Sequence, residues 1–314
     1  MQRHRLSLFA CTLGFALAAA IPGPAPGQSE NTSTATFRSN TNLVLVPVTV
    51  TDSTNRFVLG LERKHFRILE DGVEQTITSF SGEDAPLSVG LAFDESGSMG
   101  YKLRTSRAAV AQFLKTMNSD DEAFLVEFSD KARLSLEFTS QFEKIPSILE
   151  EAHTGGLTAM VDAVRLSYVQ VKNAKNPRKA ILIVSDGGDN NSKYTAAEVE
   201  SLVREADVQL YAMGVFEPEF SSLLSAEEIS GPRLLSEMAN ETGGRAFSAV
   251  VASDLPSVAA RIAIELRNEY VLAYTPKNQA RDGKYRHIEV KVSPPAAFSP
   301  VKIHSRRGYY APNS

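Results

Sequence analysis

Between Pro86 and Val250 the chain alternates short, wholly apolar runs with segments whose apolar residues recur every three or four positions, and few folds accommodate that pattern. Val89–Phe93, Phe124–Phe128, Ala180–Val184, Val208–Val215 and Ala246–Val250 are apolar enough to be buried on both faces. Between and after them, Val110, Phe113, Leu114 and Met117 form a helical stripe, as do Val161, Val164, Tyr168 and Val171. Val199, Leu202, Val203 and Ala206 form another, and Leu234–Met238 sits in a helix ended by Gly243-Gly244. Leu134–Phe138 follows Phe124–Phe128 closely enough to make a hairpin with it, and Leu255, Val258, Ile262 and Leu266 mark one last helix. Strands that are apolar on both faces need helices on both sides. The expected fold is therefore α/β, a doubly wound, mainly parallel sheet over residues 85–250, with a helix over 251–268 continuing or closing it. In such a sheet ligands bind where loops leave the carboxyl ends of the strands.

The flanks have a different period. Leu43–Val50 is a β-branched run stopped by Asp52-Ser-Thr-Asn55, and Phe66–Leu69 and Thr76–Phe80 flank Asp71-Gly72, a strong hairpin signal. After the α/β region, Tyr270–Tyr274, Tyr285–Val292 and Val301–His304 are strand-like again, with Asp282-Gly283 as a turn. Residues 41–84 and 269–314 are thus expected to build one small β domain, into which the α/β domain is inserted. Tyr309-Tyr310 is expected as a strand of that small sheet.

The amino terminus reads as an export signal over residues 1–27. Arg3, His4 and Arg5 precede the apolar run Leu6–Ala20, which is short for a bilayer span, and small residues and prolines follow. A polar, threonine-rich, disordered leader is expected over 28–40. Cleavage would remove two arginines and the only cysteine, Cys11, leaving a more acidic chain without disulfides. The whole chain carries a formal charge of −4 and no basic block, which argues against nucleic acid as a partner. No membrane span is expected after cleavage, and the protein is expected in the periplasm, on the cell surface or outside the cell.

The chemistry concentrates in three loops. Asp94-Glu95-Ser96-Gly97-Ser98-Met99-Gly100 follows the run Val89–Phe93 and precedes a helix, so oxygens at i, i+2 and i+4 can converge on one point. Gly155-Gly156-Leu157-Thr158 precedes the helix near Met160, and Ser185-Asp186-Gly187 follows Ala180–Val184. Carboxylates and hydroxyls are hard donors that suit Mg²⁺, Mn²⁺ or Ca²⁺ better than zinc. The plainer alternative is an idle metal site, or a set of serine and threonine helix caps.

Asp94-x-Ser96-x-Ser98, then Thr158, then Asp186 resembles the metal-ion-dependent adhesion site of von Willebrand factor A domains, as found in integrins. The likeness covers roughly residues 86–250 and implies a Rossmann-like domain holding one divalent cation, Mg²⁺ or else Mn²⁺ or Ca²⁺. It implies that Ser96, Ser98 and Thr158 touch the metal, while Asp94 and Asp186 act largely through bound waters. Phe66–Gln75 and the terminal Arg307–Pro312 resemble a large family of exported bacterial proteins related to von Willebrand A domains, which implies export but no specific ligand.

Three neutral hydroxyls leave the cation much of its charge and leave coordination positions open. The expected function is accordingly an exported bacterial adhesion module with no catalytic residues, whose metal takes an acidic side chain from a protein partner. Glu95, Met99, Tyr101, Gly156 and Gly187 are expected at the partner-binding rim. Lys102, Asn190–Tyr194 and residues 217–225 border the site and are expected to set specificity. An assembly protein binding through its β-rich domain by strand addition is the alternative. A serine hydrolase would place Ser96 or Ser98 at a nucleophile turn, but G-x-S-x-G is absent and its base would have to be His65, His153, His287 or His304. A two-metal hydrolase would need Glu95, Asp162 and Asp189, of which Asp162 fits better as a first-turn helix residue and Asp189 as loop polarity.

Overall fold

The structure, a computed structural model, describes residues 43–82, 84–205, 207–215, 226–249, 251–298 and 300–313. The export signal, the leader, Cys11 and the rim segment 217–225 lie outside the described residues. In chain order the strands are β1 (Val44–Asp52), β2 (Phe66–Glu70), β3 (Val73–Gln75), β4 (Ile77–Ser81), β5 (Leu87–Asp94), β6 (Glu122–Phe128) and β7 (Ala132–Thr139). There follow β8 (Arg178–Val184), β9 (Gln209–Val215), β10 (Ala246–Ala249), β11 (Tyr270–Tyr274), β12 (Tyr285–Val292), β13 (Val301–Ser305) and β14 (Gly308–Tyr310). The helices are α1 (Leu103–Leu114), α2 (Lys144–Glu150), α3 (Met160–Gln170), α4 (Ala196–Glu205), α5 (Ala226–Thr242) and α6 (Leu255–Arg267).

The apolar runs form a six-stranded sheet in the order β10-β9-β8-β5-β6-β7, parallel except for β7, which returns antiparallel beside β6. Both faces are covered. Val110 and Phe113 of α1, Ile145 and Leu149 of α2, and Ile262 and Leu266 of α6 pack on one face. Val161 and Val164 of α3, Val199 and Val203 of α4, and Leu235 and Met238 of α5 pack on the other. This is the doubly wound arrangement that the apolar runs demand. β5 lies between β6 and β8, so the order of connections reverses beside it, and the carboxyl ends of β5 and β8 border the resulting crevice.

The flanks differ from the single small sheet read in the sequence. They form two four-stranded sheets, β13-β1-β11-β4 and β14-β12-β2-β3, which share one core of Val46, Val48, Phe66, Ile68, Ile77, Leu272, Tyr274 and neighbours. Each sheet mixes strands from before and after the α/β region. The Asp71-Gly72 turn does join a hairpin, with φ of 48° and 80° at its two central residues, as a twisted two-residue turn requires. Its second strand, however, is only β3. The chain leaves that sheet at Thr76, and β4 pairs with β11 in the other sheet instead. Gln75 and Ile77, both buried, bracket this switch.

A buried polar network ties the parallel sheet to β1. Glu269 accepts hydrogen bonds from Gln209 (2.6 Å), from the Tyr211 hydroxyl (3.0 Å) and from Thr49 of β1 (3.5 Å). Glu265, fully buried on α6, pairs with Arg245 at 2.8 Å. Burial pushes Glu265 up to about 7 against the pull of Arg245, with the Glu269 charge adding to the rise. Because the folded value lies above the ordinary value of 4.5, this group's contribution to stability is complete below that pH and is lost as pH rises through about 7. Glu265→Gln is therefore expected to melt closer to the parent at pH 5 than at pH 8, where the variant gains on it. A melting difference that stays constant over that range would refute the assignment.

Candidate metal centre

Asp94 ends β5 and is completely buried. Its Oδ1 accepts the Ser96 backbone N–H at 2.8 Å, and its Oδ2 accepts the Ser185 hydroxyl at 2.6 Å. Ser185 is held in turn by the Gly187 N–H at 2.9 Å. The Ser96 and Ser98 hydroxyls face each other at 3.2 Å. The first loop is thus joined to the third, which follows β8.

The second loop is stitched to both. Gly155 N–H donates to the Glu95 carbonyl at 2.9 Å, and Gly97 N–H to the Gly156 carbonyl at 3.2 Å. The Thr158 carbonyl accepts from Asn190 and Asn191 N–H at 3.0 Å each, while Thr158 N–H donates to Asn190 Oδ1 at 2.8 Å. Asp130 accepts the Leu157 N–H at 2.7 Å and packs against Gly156, whose φ of 76° suits glycine and where a Cβ would strike the Asp130 carboxylate. The first turn of α3 leaves backbone N–H groups without helical partners. Asp189 takes that of Val161 at 3.2 Å and Ser192 that of Asp162 at 3.1 Å. The Asp162 carboxylate accepts the Lys193 and Tyr194 N–H groups at 3.0 and 3.2 Å, so both Asp189 and Asp162 are engaged in backbone hydrogen bonds around the start of α3.

The three loops bring Asp94, Ser96, Ser98, Thr158 and Asp186 to one end of the sheet. All but Ser98, which is half-buried, are buried. Burial, reinforced by the charge of Asp186, pushes Asp94 up to about 7. Asp186 Oδ2 accepts from Lys102 Nζ at 2.8 Å, but Asp186 Oδ1 is buried without a hydrogen-bond partner. A buried carboxylate oxygen left unmatched beside a second carboxylate and a hydroxyl pair is chemically suited to a hard cation. Among the described residues, no group of three or more His, Cys, Asp or Glu side chains is clustered for metal binding.

The rim differs from the sequence reading. Tyr101 (62% exposed) and Gly156 face solvent, but Glu95, Met99 and Gly187 are buried. Met99 donates its backbone N–H to the Ser96 carbonyl at 3.1 Å. Gly187 has a φ of 90° and lies against the backbone of Gly231 on α5. Glu95 turns inward to Glu127. Burial first, then the neighbouring Glu127, push Glu95 up to about 8, and Arg133 bridges both carboxylates at 3.3 and 3.1 Å. Leu157 on the second loop is 48% exposed. Ser185, Asn190 and Lys102 lie at the site as the sequence places them, although Lys102 is buried; Asp130, which holds the Leu157 N–H, is the residue that the sequence reading does not single out. Of the histidines weighed as a base, His65, His287 and His304 belong to the flanking sheets or their connections, and His153 is exposed. Among the described residues, Ser96 and Ser98 hydrogen-bond to no histidine.

Residues 90–188 match the family model described as the von Willebrand factor type A domain, a stretch that includes all five residues of the cluster. An uncharacterized protein of Borreliella burgdorferi is 23% identical over 179 residues, covering 50% of this chain. The match spans 52% of that protein, so the chain covers about half the length of the curated relative it matches. Among solved structures, a von Willebrand factor type A protein from Catenulispora acidiphila aligns over 88% of this chain and 74% of its own, with a TM-score of 0.51 and 11% identity. Proximal thread matrix protein 1 from the mussel byssus aligns over 63% of this chain and 51% of its own, with a TM-score of 0.50 and 16% identity. These two likenesses concern the fold. With a doubly wound sheet, three loops gathered at its carboxyl edge and the family match over them, the chain carries a von Willebrand factor type A domain.

Proposed function

We propose that this chain is an exported, non-catalytic protein-binding module that captures an acidic side chain of its partner through one divalent cation, with Mg²⁺ or Mn²⁺ the best suited. The observation that carries the reading is the unpartnered, buried Oδ1 of Asp186 beside Asp94 and the Ser96–Ser98 hydroxyl pair. Ser96, Ser98 and Thr158 would hold the cation directly, and Asp94 and Asp186 would balance its charge. The cation supplies a Lewis-acidic position for a partner carboxylate. The chain's own contribution is preorganisation: Asp94 is immobilised by Ser96 N–H and Ser185, and the Thr158 loop by Asn190 and Asp130. Tyr101 and Leu157, exposed on neighbouring loops, offer apolar contact around the carboxylate, as partner surfaces commonly need. Export is supported by the amino-terminal sequence, and no described helix is long and apolar enough to cross a membrane.

Capture from the native secretome on immobilised protein tests this. A specific partner is expected to be retained in Mg²⁺ or Mn²⁺, released by chelator and not bound by Thr158→Ala. Retention indifferent to chelator and to that substitution would sink the proposal. Hydrolysis of an ester or phosphate that is lost in Ser98→Ala would favour an enzyme instead.

A further inference from the structure

Lys102 closes the 3-10 turn Gly97–Lys102 that leads into α1. A lysine at the start of a helix ordinarily extends its ammonium into water. Here the side chain is only 6% exposed and its Nζ lies 2.8 Å from Asp186 Oδ2, on a side chain 5% exposed. The Tyr101 ring flanks the ammonium, with its centroid 5.4 Å from Nζ. Both oxygens of Asp94 are committed to Ser96 N–H and Ser185, so Lys102 is the one basic side chain that meets the charge of the two buried carboxylates directly among the described residues.

We infer that Lys102 is a built-in counter-cation that competes with the divalent ion for Asp186, holding the loops together without metal and raising the cation concentration at which the site fills. This rests on the metal-binding reading above. A unit positive charge a few ångströms from a cation site opposes the cation's entry, and a pair this deeply buried is little screened by salt. The same charge keeps Asp186 from standing buried and unpaired, which is strongly destabilising. Lys102 therefore acts in opposite directions on the two states: it supports the metal-free fold and weakens metal binding. The domain can then be assembled before it meets its cation, and it binds a partner only where divalent cations are abundant.

The test is Mn²⁺ titration of the full chain by calorimetry, with melting curves in Mn²⁺ and in chelator. Lys102→Met is expected to bind Mn²⁺ about tenfold tighter than the parent. It should also melt below the parent in chelator and show a larger Mn²⁺-induced rise. Lys102→Gln removes the charge at nearly the same length and gives the same reading if the methionine variant does not fold. Lys102→Arg keeps the charge and is expected to keep the parent's weaker binding. If both uncharged variants bind Mn²⁺ no better than the parent, Lys102 only positions Asp186 and the inference is overturned while the metal site stands. If the parent and every variant give neither heat nor a melting shift, the metal-binding reading itself fails, and this inference with it.

Discussion

Asp94→Asn is expected to abolish the stabilisation of this protein by divalent cations while leaving the metal-free chain at least as stable as the parent. In the parent, cation at 100 times its dissociation constant should add about 2.7 kcal/mol, or roughly 5–10 °C in melting temperature for a domain of this size. Asparagine keeps the shape of the buried side chain and an oxygen for the Ser96 N–H. It removes a negative charge that sits completely buried next to Asp186. Without metal that change relieves repulsion; with metal it deletes half of the charge that balances the cation. The two halves of the prediction separate a metal site from a merely structural polar cluster. If Asp94 were only a loop staple, Asp94→Asn would lower the melting temperature equally in Mg²⁺ and in chelator. Melting curves of both proteins in the two buffers decide the matter.

Gly231→Ala should destabilise the fold most of any single methyl addition near the site, by about 3 kcal/mol or more. Gly231 is buried in α5 against the loop that carries Asp186, and a Cβ there would come within 2.0 Å of the Gly187 carbonyl oxygen. That neighbour is backbone, so no rotamer change can relieve the overlap. Gly187 itself cannot swing aside freely, because its φ is 90° and its N–H is bonded to Ser185. The strain has to be taken up by moving α5 or the Ser185–Gly187 loop, and the second course displaces Asp186. Chemical denaturation measures the stability loss, and Mn²⁺ titration should show weaker binding as well. A variant that keeps parental stability and affinity would mean that α5 yields without disturbing the loop. By contrast, Gly90→Ala meets the Phe124 ring, a side chain that has some freedom to move, so its cost is expected to be smaller.

Much of the α/β fold is legible because its signals are local. A run such as Ala180–Val184 cannot be solvated on either face, and stripes such as Val161, Val164 and Tyr168 need a partner surface every turn. Together they imply a parallel sheet between two helical layers whatever the details. The short spacing of Asp94, Ser96 and Ser98 is likewise a property of a single turn, and placement at the end of β8 brings the Asp186 loop within reach of it, whereas the Thr158 loop joins α2 to α3 and is brought there by tertiary contacts such as Gly155 N–H on the Glu95 carbonyl. The β flanks were only half legible. Asp71-Gly72 announces a hairpin through its own backbone preferences, but nothing local reports that the chain changes sheets at Thr76, because that depends on which core Ile77 joins.

What the amino-acid sequence determined by itself was therefore the doubly wound sheet, the hairpin turn and the oxygen-bearing loops, all products of periodicity and of backbone conformation over a few residues. Only the tertiary structure decided what those loops do to one another. It buries Lys102 on Asp186, 84 positions away, turns Glu95 inward to Glu127, and sets Gly187 against Gly231. These are long-range pairings of charge and backbone, settled when helices and strands distant in the chain pack together. They leave Tyr101, Gly156 and Leu157 at the surface and keep Asp186 Oδ1 buried and unmatched.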